Sequence, residues 1–426
     1  MLGSDEKLLT EVRNRFAHVE SCPYDGPRVF FENAGGALTL KSVVATSAAM
    51  AAVPDNQGRD NPASHELMRI IAKARDDAKL FFNASGGQVF VGESGTELLF
   101  RVISAAVLGA ARGGIVLGST LEHPASASAC VRWAQIAGKP YVAVPHNSDT
   151  GSVAVEDYLK HVTPETRVAT ILHTSPVSGM GVDVAAIAAA IRGVAPDCLI
   201  IVDGIQHAAH GNIDIDAYGI DGYVISPYKV FSRHGYGLAW ISDRLSALPH
   251  NSLVGAPAGQ WELGTRDTAA YATFSDVVAY FEWLGGELTG ETADVSDKRE
   301  ARRARIDAAS RAIHDHEKDL TDSMLTGTGN LRGLTEMPGV GILCGTGNPL
   351  REGLVSITLE GMTAEALVTA LRERGIRVHA RKADHYSGNI LKPLGLEDCV
   401  RVSLCHYNSE QEVAQFLAAM QDIVQG

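Results

Sequence analysis

The sequence predicts an α/β protein built on a large, mainly parallel sheet, followed by a smaller α+β domain. Short apolar runs at Val89–Val91, Gly114–Leu117, Tyr141–Val144, Val168–Leu172, Leu199–Val202, Tyr223–Ile225 and Gly237–Ile241 alternate for the most part with helix-like segments. That is the pattern of strands covered by helices. After Trp283-Leu284-Gly285-Gly286 the composition changes. From Ser296 to about Ser323 the chain is dense in Lys, Arg, Asp and Glu with spaced Ala, Ile and Leu, as in a long solvent-flanked helix leading into a second unit. The 426 residues also exceed one ordinary domain.

Taken in order, Glu6–His18 reads as a helix, because Leu8, Leu9, Val12 and Phe16 recur at helical spacing and give it a face to bury. Val29-Phe30-Phe31 is a short strand running into Asn33-Ala34-Gly35-Gly36-Ala37. The paired glycines either let the backbone approach a ligand closely or simply turn the chain at a strand end. Asn56–Glu66 is polar and reads as a loop before the helix carrying Ile70, Ile71, Ala74 and Phe81. Gly92-Glu93-Ser94-Gly95-Thr96-Glu97 joins a strand to an apolar helix. Free N–H groups and the helix dipole suit such a start to phosphate, and a plain helix cap also explains it. No Lys-Ser/Thr follows, so it is not a Walker A loop, and neither Gly327-Thr328-Gly329 nor Gly345-Thr346-Gly347 completes a dinucleotide fingerprint. Glu122-His123-Pro124 follows the second of the alternating strands, where an imidazole either stacks on a planar ring or satisfies a local hydrogen bond. Past the charged helix, Leu354–Leu359 and Val400–Leu404 read as strands, and Thr363–Arg374 as an amphipathic helix closed by Gly375.

Hydrophobic residues at 45% and charged residues at 20% suit a soluble enzyme. A net charge of −13 argues against a nucleic-acid surface, which needs clustered Lys and Arg. The six cysteines are scattered without metal-like spacing and read as reduced thiols. Met1–Glu20 lacks the apolar core of a signal peptide, and no apolar run is long enough to span a bilayer. The expectation is a cytoplasmic protein with neither membrane nor nucleic acid as partner.

Chemistry concentrates between Val202 and Trp240. The run Cys198–Val202 delivers Asp203 at its end, and Gly222–Ile225 leads into Ser226-Pro227-Tyr228-Lys229. Ligands of open α/β sheets sit at strand ends. A carboxylate and an amine there suit a cofactor with a basic ring nitrogen and an aldehyde, as pyridoxal phosphate (PLP) has; an ordinary Asp-Lys surface arrangement is the other reading. A buried carboxylate needs a partner, and a protonated pyridine nitrogen is one. A desolvated amine readily forms a Schiff base. His207-Ala208-Ala209-His210 has no third ligand at sensible spacing and reads as structural.

Together these motifs resemble the class V aminotransferase family of PLP enzymes, which includes cysteine desulfurases and isopenicillin N epimerases, from about Phe30 to the C-terminus. The resemblance implies PLP-dependent transferase fold type I, with a large PLP-binding domain over residues 28–290 and a small domain made of 1–27 and 291–426. It implies that Asp203 meets the pyridine nitrogen, Gln206 the ring oxygen, and Lys229 the cofactor aldehyde. Gly95, Thr96 and Ser226 hold the phosphate, and His123 stacks on the ring and shares in catalysis. Trp261-Glu262-Leu263-Gly264-Thr265 is similar to an element whose threonine, here Thr265, reaches the phosphate of the neighbouring subunit, implying a homodimer with shared active sites. Arg401-Val402-Ser403 with Tyr407-Asn408 implies that Arg401 holds the substrate carboxylate, with Asn33 also at the substrate. Tyr228 stands where the family usually has histidine. The stretch His379–Ser387 lacks the desulfurase cysteine, and Thr174-Ser175-Pro176 is closer to the epimerase-like branch.

The implied chemistry takes an amino acid through an external aldimine and a quinonoid, with Lys229 moving the α-proton. Transamination comes first because it needs only Lys229 as a shuttle. β-Elimination needs a leaving group on the substrate, and epimerisation a second acid on the opposite face, for which Tyr386, His385 or His379 are candidates. A PLP-fold protein that binds without turnover is the alternative of a different class.

Overall fold

The computed structural model describes residues 2–290 and 298–425. Seven strands form the large sheet: β1 (Gln88–Gly92), β2 (Ile115–Ser119), β3 (Tyr141–Val144), β4 (Thr166–Leu172), β5 (Leu199–Asp203), β6 (Gly222–Ile225) and β7 (Gly237–Ile241). Their spatial order is β1-β7-β6-β5-β4-β2-β3, and β7 alone runs antiparallel to its neighbours. The remaining strands therefore end at one common edge. Around them lie helices α1 (Glu6–Arg15), α2 (Pro62–Phe81), α3 (Gly95–Gly109), α4 (Pro124–Ala137), α5 (Val184–Val194) and α6 (Thr268–Thr289).

Alternation along each strand decides which helices it meets. Leu199 and Ile201 of β5 join Leu98 and Val102 of α3 and Ala129 of α4 in one apolar layer. Ile200 and Val202 join Ile187 of α5 and Phe281 of α6 in the other. All five residues of β5 are buried, so Asp203 is carried inside by the strand that precedes it. Each buried aliphatic side chain there contributes about 1.5–3 kcal/mol.

Helix α7 (Arg299–Thr326) leads to the small domain. Its Ile306, Ala309 and Ile313 pack into the large-sheet core, whereas Leu320, Met324 and Leu325 pack into a second core. The charged stretch thus forms the bridge its composition predicts. The expected helix start at Ser296 lies outside the described residues, as do the rest of 291–297, where the two domains were expected to divide, and terminal residues 1 and 426. Strands β8 (Val340–Ile342), β9 (Leu354–Leu359), β10 (His379–Lys382) and β11 (Asp398–Ser403) form an antiparallel sheet in the order β8-β9-β11-β10. Helices α8 (Ala364–Glu373) and α9 (Glu410–Gln425) cover one face, with Leu367, Leu371, Phe416 and Leu417 against Val355, Ile357, Val400 and Val402. The other face turns to the large domain: Ser356 Oγ donates to Val177 O at 2.5 Å and Arg401 Nη1 to Pro176 O at 2.8 Å.

Three expectations are corrected. The N-terminal partition crosses over: Leu2, Leu8, Val12 and Phe16 pack into the large-sheet core, while Val29 and Phe31 belong to the small core and Val29–Phe30 pairs with Ile376–Arg377. Amphipathic spacing shows that a face is buried, not against what. Helix α1 ends at Arg15 rather than His18, whose φ of 59° is left-handed. Helix α2 begins inside the expected loop, because Asn61 caps it through Ser64 N at 2.8 Å and Pro62 suits its first turn. Among the described residues, no helix is long and apolar enough to cross a membrane.

Candidate active site

Thr96, His123, Asp203, Gln206, Ser226 and Lys229 line one cavity at the strand-end edge of the large sheet. Each is delivered by the element before it. Asp203 ends β5, Ser226 follows β6, Thr96 lies in the first turn of α3, and His123 is the N-cap of α4. Lys229 closes the short 3-10 turn Pro227–Lys229, whose proline presets the backbone.

Lys229 Nζ donates to Gln206 Oε1 at 3.0 Å and forms no ion pair among the described residues. Burial lowers its pKa to about 7, and repulsion from Arg401 and Arg381 adds to this. Part of the amine is therefore unprotonated at neutral pH and nucleophilic. Asp203 is 2% exposed. Its Oδ1 accepts from Ile205 N at 3.1 Å and its Oδ2 from Ser126 Oγ at 3.2 Å, with no cation at ion-pair distance among the described residues. Burial pushes it up to about 6. The surface-arrangement reading of this pair fails, since neither group lies on the surface. What they fit is a ring that brings a cationic N–H to Asp203 and a carbonyl carbon to Lys229.

The opposite end is built for an anion. Ser94 caps α3 by accepting from Glu97 N at 3.1 Å, and the start of that helix lies beside Ser226, with Thr96 and Ser226 both lining the cavity. A Cβ on Gly95 would lie 2.4 Å from Ser226 Oγ and 2.7 Å from Ile205 Cδ1. The glycine is thus required for the hydroxyl and the helix start to meet. Gly95→Ala is expected to weaken PLP binding by roughly tenfold or more, since loss of one hydrogen bond to a charged group costs about 1.5–3 kcal/mol; equilibrium dialysis against PLP checks this.

His123 Nδ1 accepts from Ala125 N at 3.2 Å, which places the ring proton on Nε2. Burial and the charges of Lys229 and Arg381 push its pKa down to about 4, leaving a neutral, flat ring at the cavity wall. The local hydrogen-bond reading of His123 therefore holds, and the ring lines the cavity. Tyr228, where histidine was expected, stacks on His234 at 4.3 Å.

Arg401 is 3% exposed; its Nη1 donates to Pro176 O, its Nε has no partner, and no carboxylate lies at ion-pair distance among the described residues, although the charge of Glu32 acts on it. Asn33 corrects the expectation of a substrate contact. Its Nδ2 donates to Ser403 O at 2.8 Å and Phe30 O at 3.2 Å, and its Oδ1 accepts from Tyr407, so its capacity is spent holding the turn against the end of β11. The glycine pair beside it leaves room for side chains, since a Cβ on Gly35 would lie 3.3 Å from Arg401 Nη2 and one on Gly36 3.4 Å from Tyr228. Thr265 does not line the cavity of its own chain; it lies near Met50, Val53 and Asp267.

Several contributors carried no usable sequence signal. Glu122 is buried beside Asp203 with Oε2 unpartnered, and burial pushes it up to about 8, so it stays neutral and adds no second charge. Ser126 was within reach of inference, lying three residues after His123 on one face of α4. Glu317, in mid-helix, pairs with His210 at 2.7 Å, and His207 pairs with Glu352 at 2.5 Å. Each histidine is paired with a carboxylate, and Glu317 and Cys405, distant in sequence, bring ligand-type atoms within 4.8 Å of His210. Arg381 was likewise passed over.

The family model described as Aminotransferase class-V matches residues 29–416. Aminotransferase-like protein FGM3 of Gibberella zeae is 26% identical, covering 99% of this chain and 100% of its own length. A probable cysteine desulfurase of Pseudomonas putida is 29% identical over 82% of this chain and 81% of its own. A cysteine desulfurase of Synechococcus elongatus is 27% identical over 98% of this chain and 64% of its own. Among solved structures, cysteine desulfurase from Thermococcus onnurineus has a TM-score of 0.78 at 20% identity, covering 94% of this chain and 95% of that one. Cysteine desulfurase CsdA from Escherichia coli has a TM-score of 0.75 at 22% identity, covering 98% of each.

Proposed function

We infer that this chain, which belongs to the class V aminotransferase family and has fold type I of the PLP-dependent transferases, is a PLP-dependent aminotransferase of amino acids. One observation carries this: a buried carboxylate without a cation, Asp203, and a partly deprotonated lysine, Lys229, face one cavity. The cofactor, when bound, supplies the electron sink that acidifies the substrate Cα–H. The chain's own groups do the rest. Arg401 orients the substrate carboxylate through its fork, Lys229 moves the proton, Asp203 holds a proton on the ring nitrogen, and His123 covers the ring and excludes water. Transamination is favoured because one base suffices for it. Of the acids epimerisation would recruit, His379 is tied to Glu32 at 3.3 Å and Tyr386 is 48% exposed.

The second reading, desulfuration, is favoured by the names of the relatives. Against it, residues 379–387 contain no cysteine. Cys399 and Cys405 are buried thiols whose pKa burial raises, that of Cys399 to about 11, whereas attack on sulfur needs a thiolate. Incubating the PLP-loaded protein with a panel of amino acids separates the possibilities. Transamination converts the cofactor to its amine form with an equal amount of oxo acid. Alanine and sulfide from cysteine would establish a desulfurase, and pyruvate with ammonia a β-lyase. Exchange of the α-proton without substrate loss would establish an epimerase. No spectral response to any amino acid would leave a binding module.

A further inference from the structure

We propose that Arg381 is a second anion receptor of the substrate site, and that the substrate is an amino acid with a second acidic group on its side chain. This deepens the aminotransferase reading and rests on it. His379 is the cross-strand partner of Arg401, and Arg381 follows two residues later on β10. Alternation therefore sets His379, Arg381 and Arg401 on the same face of the small sheet, the face turned to the large domain, where Arg401 bonds the cavity-lining Pro176.

Arg401 matches one carboxylate, leaving Arg381 as a second fork. Its Nε donates to Ser387 Oγ at 2.8 Å, and among the described residues its terminal nitrogens have no partner and it forms no ion pair. The segment that follows docks at the mouth of the cavity. The ring of Tyr386 lies 6.3 Å from that of His123, and Asn389 Nδ2 donates to Thr120 O at 3.0 Å and Glu122 O at 3.3 Å. The charge of Arg381 acts on Lys229, His123 and Arg401.

The neighbouring acids hydrogen-bond to other groups, while the charge of Glu32 acts on Arg401 and that of Asp384 on Arg381. Glu32 pairs with Arg377 at 2.8 Å and with His379, and Asp384 accepts from the amides of Tyr386 at 2.8 Å and Ser387 at 3.3 Å. Asp203 sits at the far end, reserved for a ring nitrogen. With the α-carboxylate on Arg401, the terminal nitrogens of Arg381 stay without a hydrogen-bond partner among the described residues until a distal carboxylate or similar anion reaches them.

Calorimetric titration of the full-length protein as purified, with succinate, glutarate and propionate, tests this without turnover. Wild type should bind at least one dicarboxylate roughly tenfold or more tightly than propionate. Arg381→Ala should collapse that ratio roughly 10- to 100-fold, and Arg381→Lys should restore part of it. In turnover, the KM ratio of a monocarboxylic to a dicarboxylic amino acid should fall by a similar factor. A wild type without dicarboxylate preference overturns the proposal. So does an Arg381→Ala protein, folded by circular dichroism, that weakens mono- and dicarboxylates equally, since Arg381 would then belong to the α-carboxylate clamp. An intact dicarboxylate preference in a protein that transaminates nothing sinks the aminotransferase reading alone.

Discussion

Lys229→Ala is expected to abolish the absorbance band of lysine-bound PLP and to lower turnover by roughly 10²- to 10⁴-fold, the range for losing a positioned base. The same substitution should stabilise the cofactor-free protein. Folding lowers the Lys229 pKa from 10.5 to about 7, so between those values the folded chain binds fewer protons than the unfolded one. Stability then rises with pH across that window, and below pH 7 the full penalty of burying an ammonium is present. Removing the amine removes the slope, a gain on the order of a few kcal/mol at neutral pH. Urea melts of both proteins at pH 6.5 and pH 9.5 measure it. A retained cofactor band in the variant would show that another group bonds the aldehyde.

Asp203→Asn should lower turnover by a comparable factor while leaving the cofactor bound, because the ring would lose the carboxylate that keeps its nitrogen protonated. In the cofactor-free protein the sign is again opposite. The folded pKa is raised from 3.8 to about 6, so the folded chain binds more protons between these values and stability falls as pH rises through them. At neutral pH the buried carboxylate costs about 3 kcal/mol, and the asparagine should recover about 1–3 kcal/mol. An Asp203→Asn protein with unchanged turnover and unchanged cofactor spectrum would remove Asp203 from the ring site.

Much of the site was legible in the chain because it is local. Asp203, Ser226 and Thr96 each lie at or just beyond a strand end, and a strand that buries both faces announces itself by an unbroken apolar run, as in Leu199–Asp203. Asn33 shows where locality misleads. It follows a short strand as a ligand-binding residue would, yet its partners Ser403 and Tyr407 lie about 370 residues away, and they use up its amide. Arg381 was overlooked for the converse reason: a lone arginine in a basic stretch reads as solvated until pairing with β11 sets it on the face of Arg401.

The sequence by itself determined the order of strands and helices, the strand-end positions of Asp203, Ser226 and Lys229, and the glycine-led start of α3, since each depends on spacing and side-chain type within a few residues. Tertiary structure alone decided the protonation of Lys229, Asp203, His123 and Glu122, because desolvation is a property of everything packed around a group. It also decided that His379, Arg381 and Arg401 share one face of the small sheet, since strand pairing brings them together and spacing along the chain does not encode that pairing.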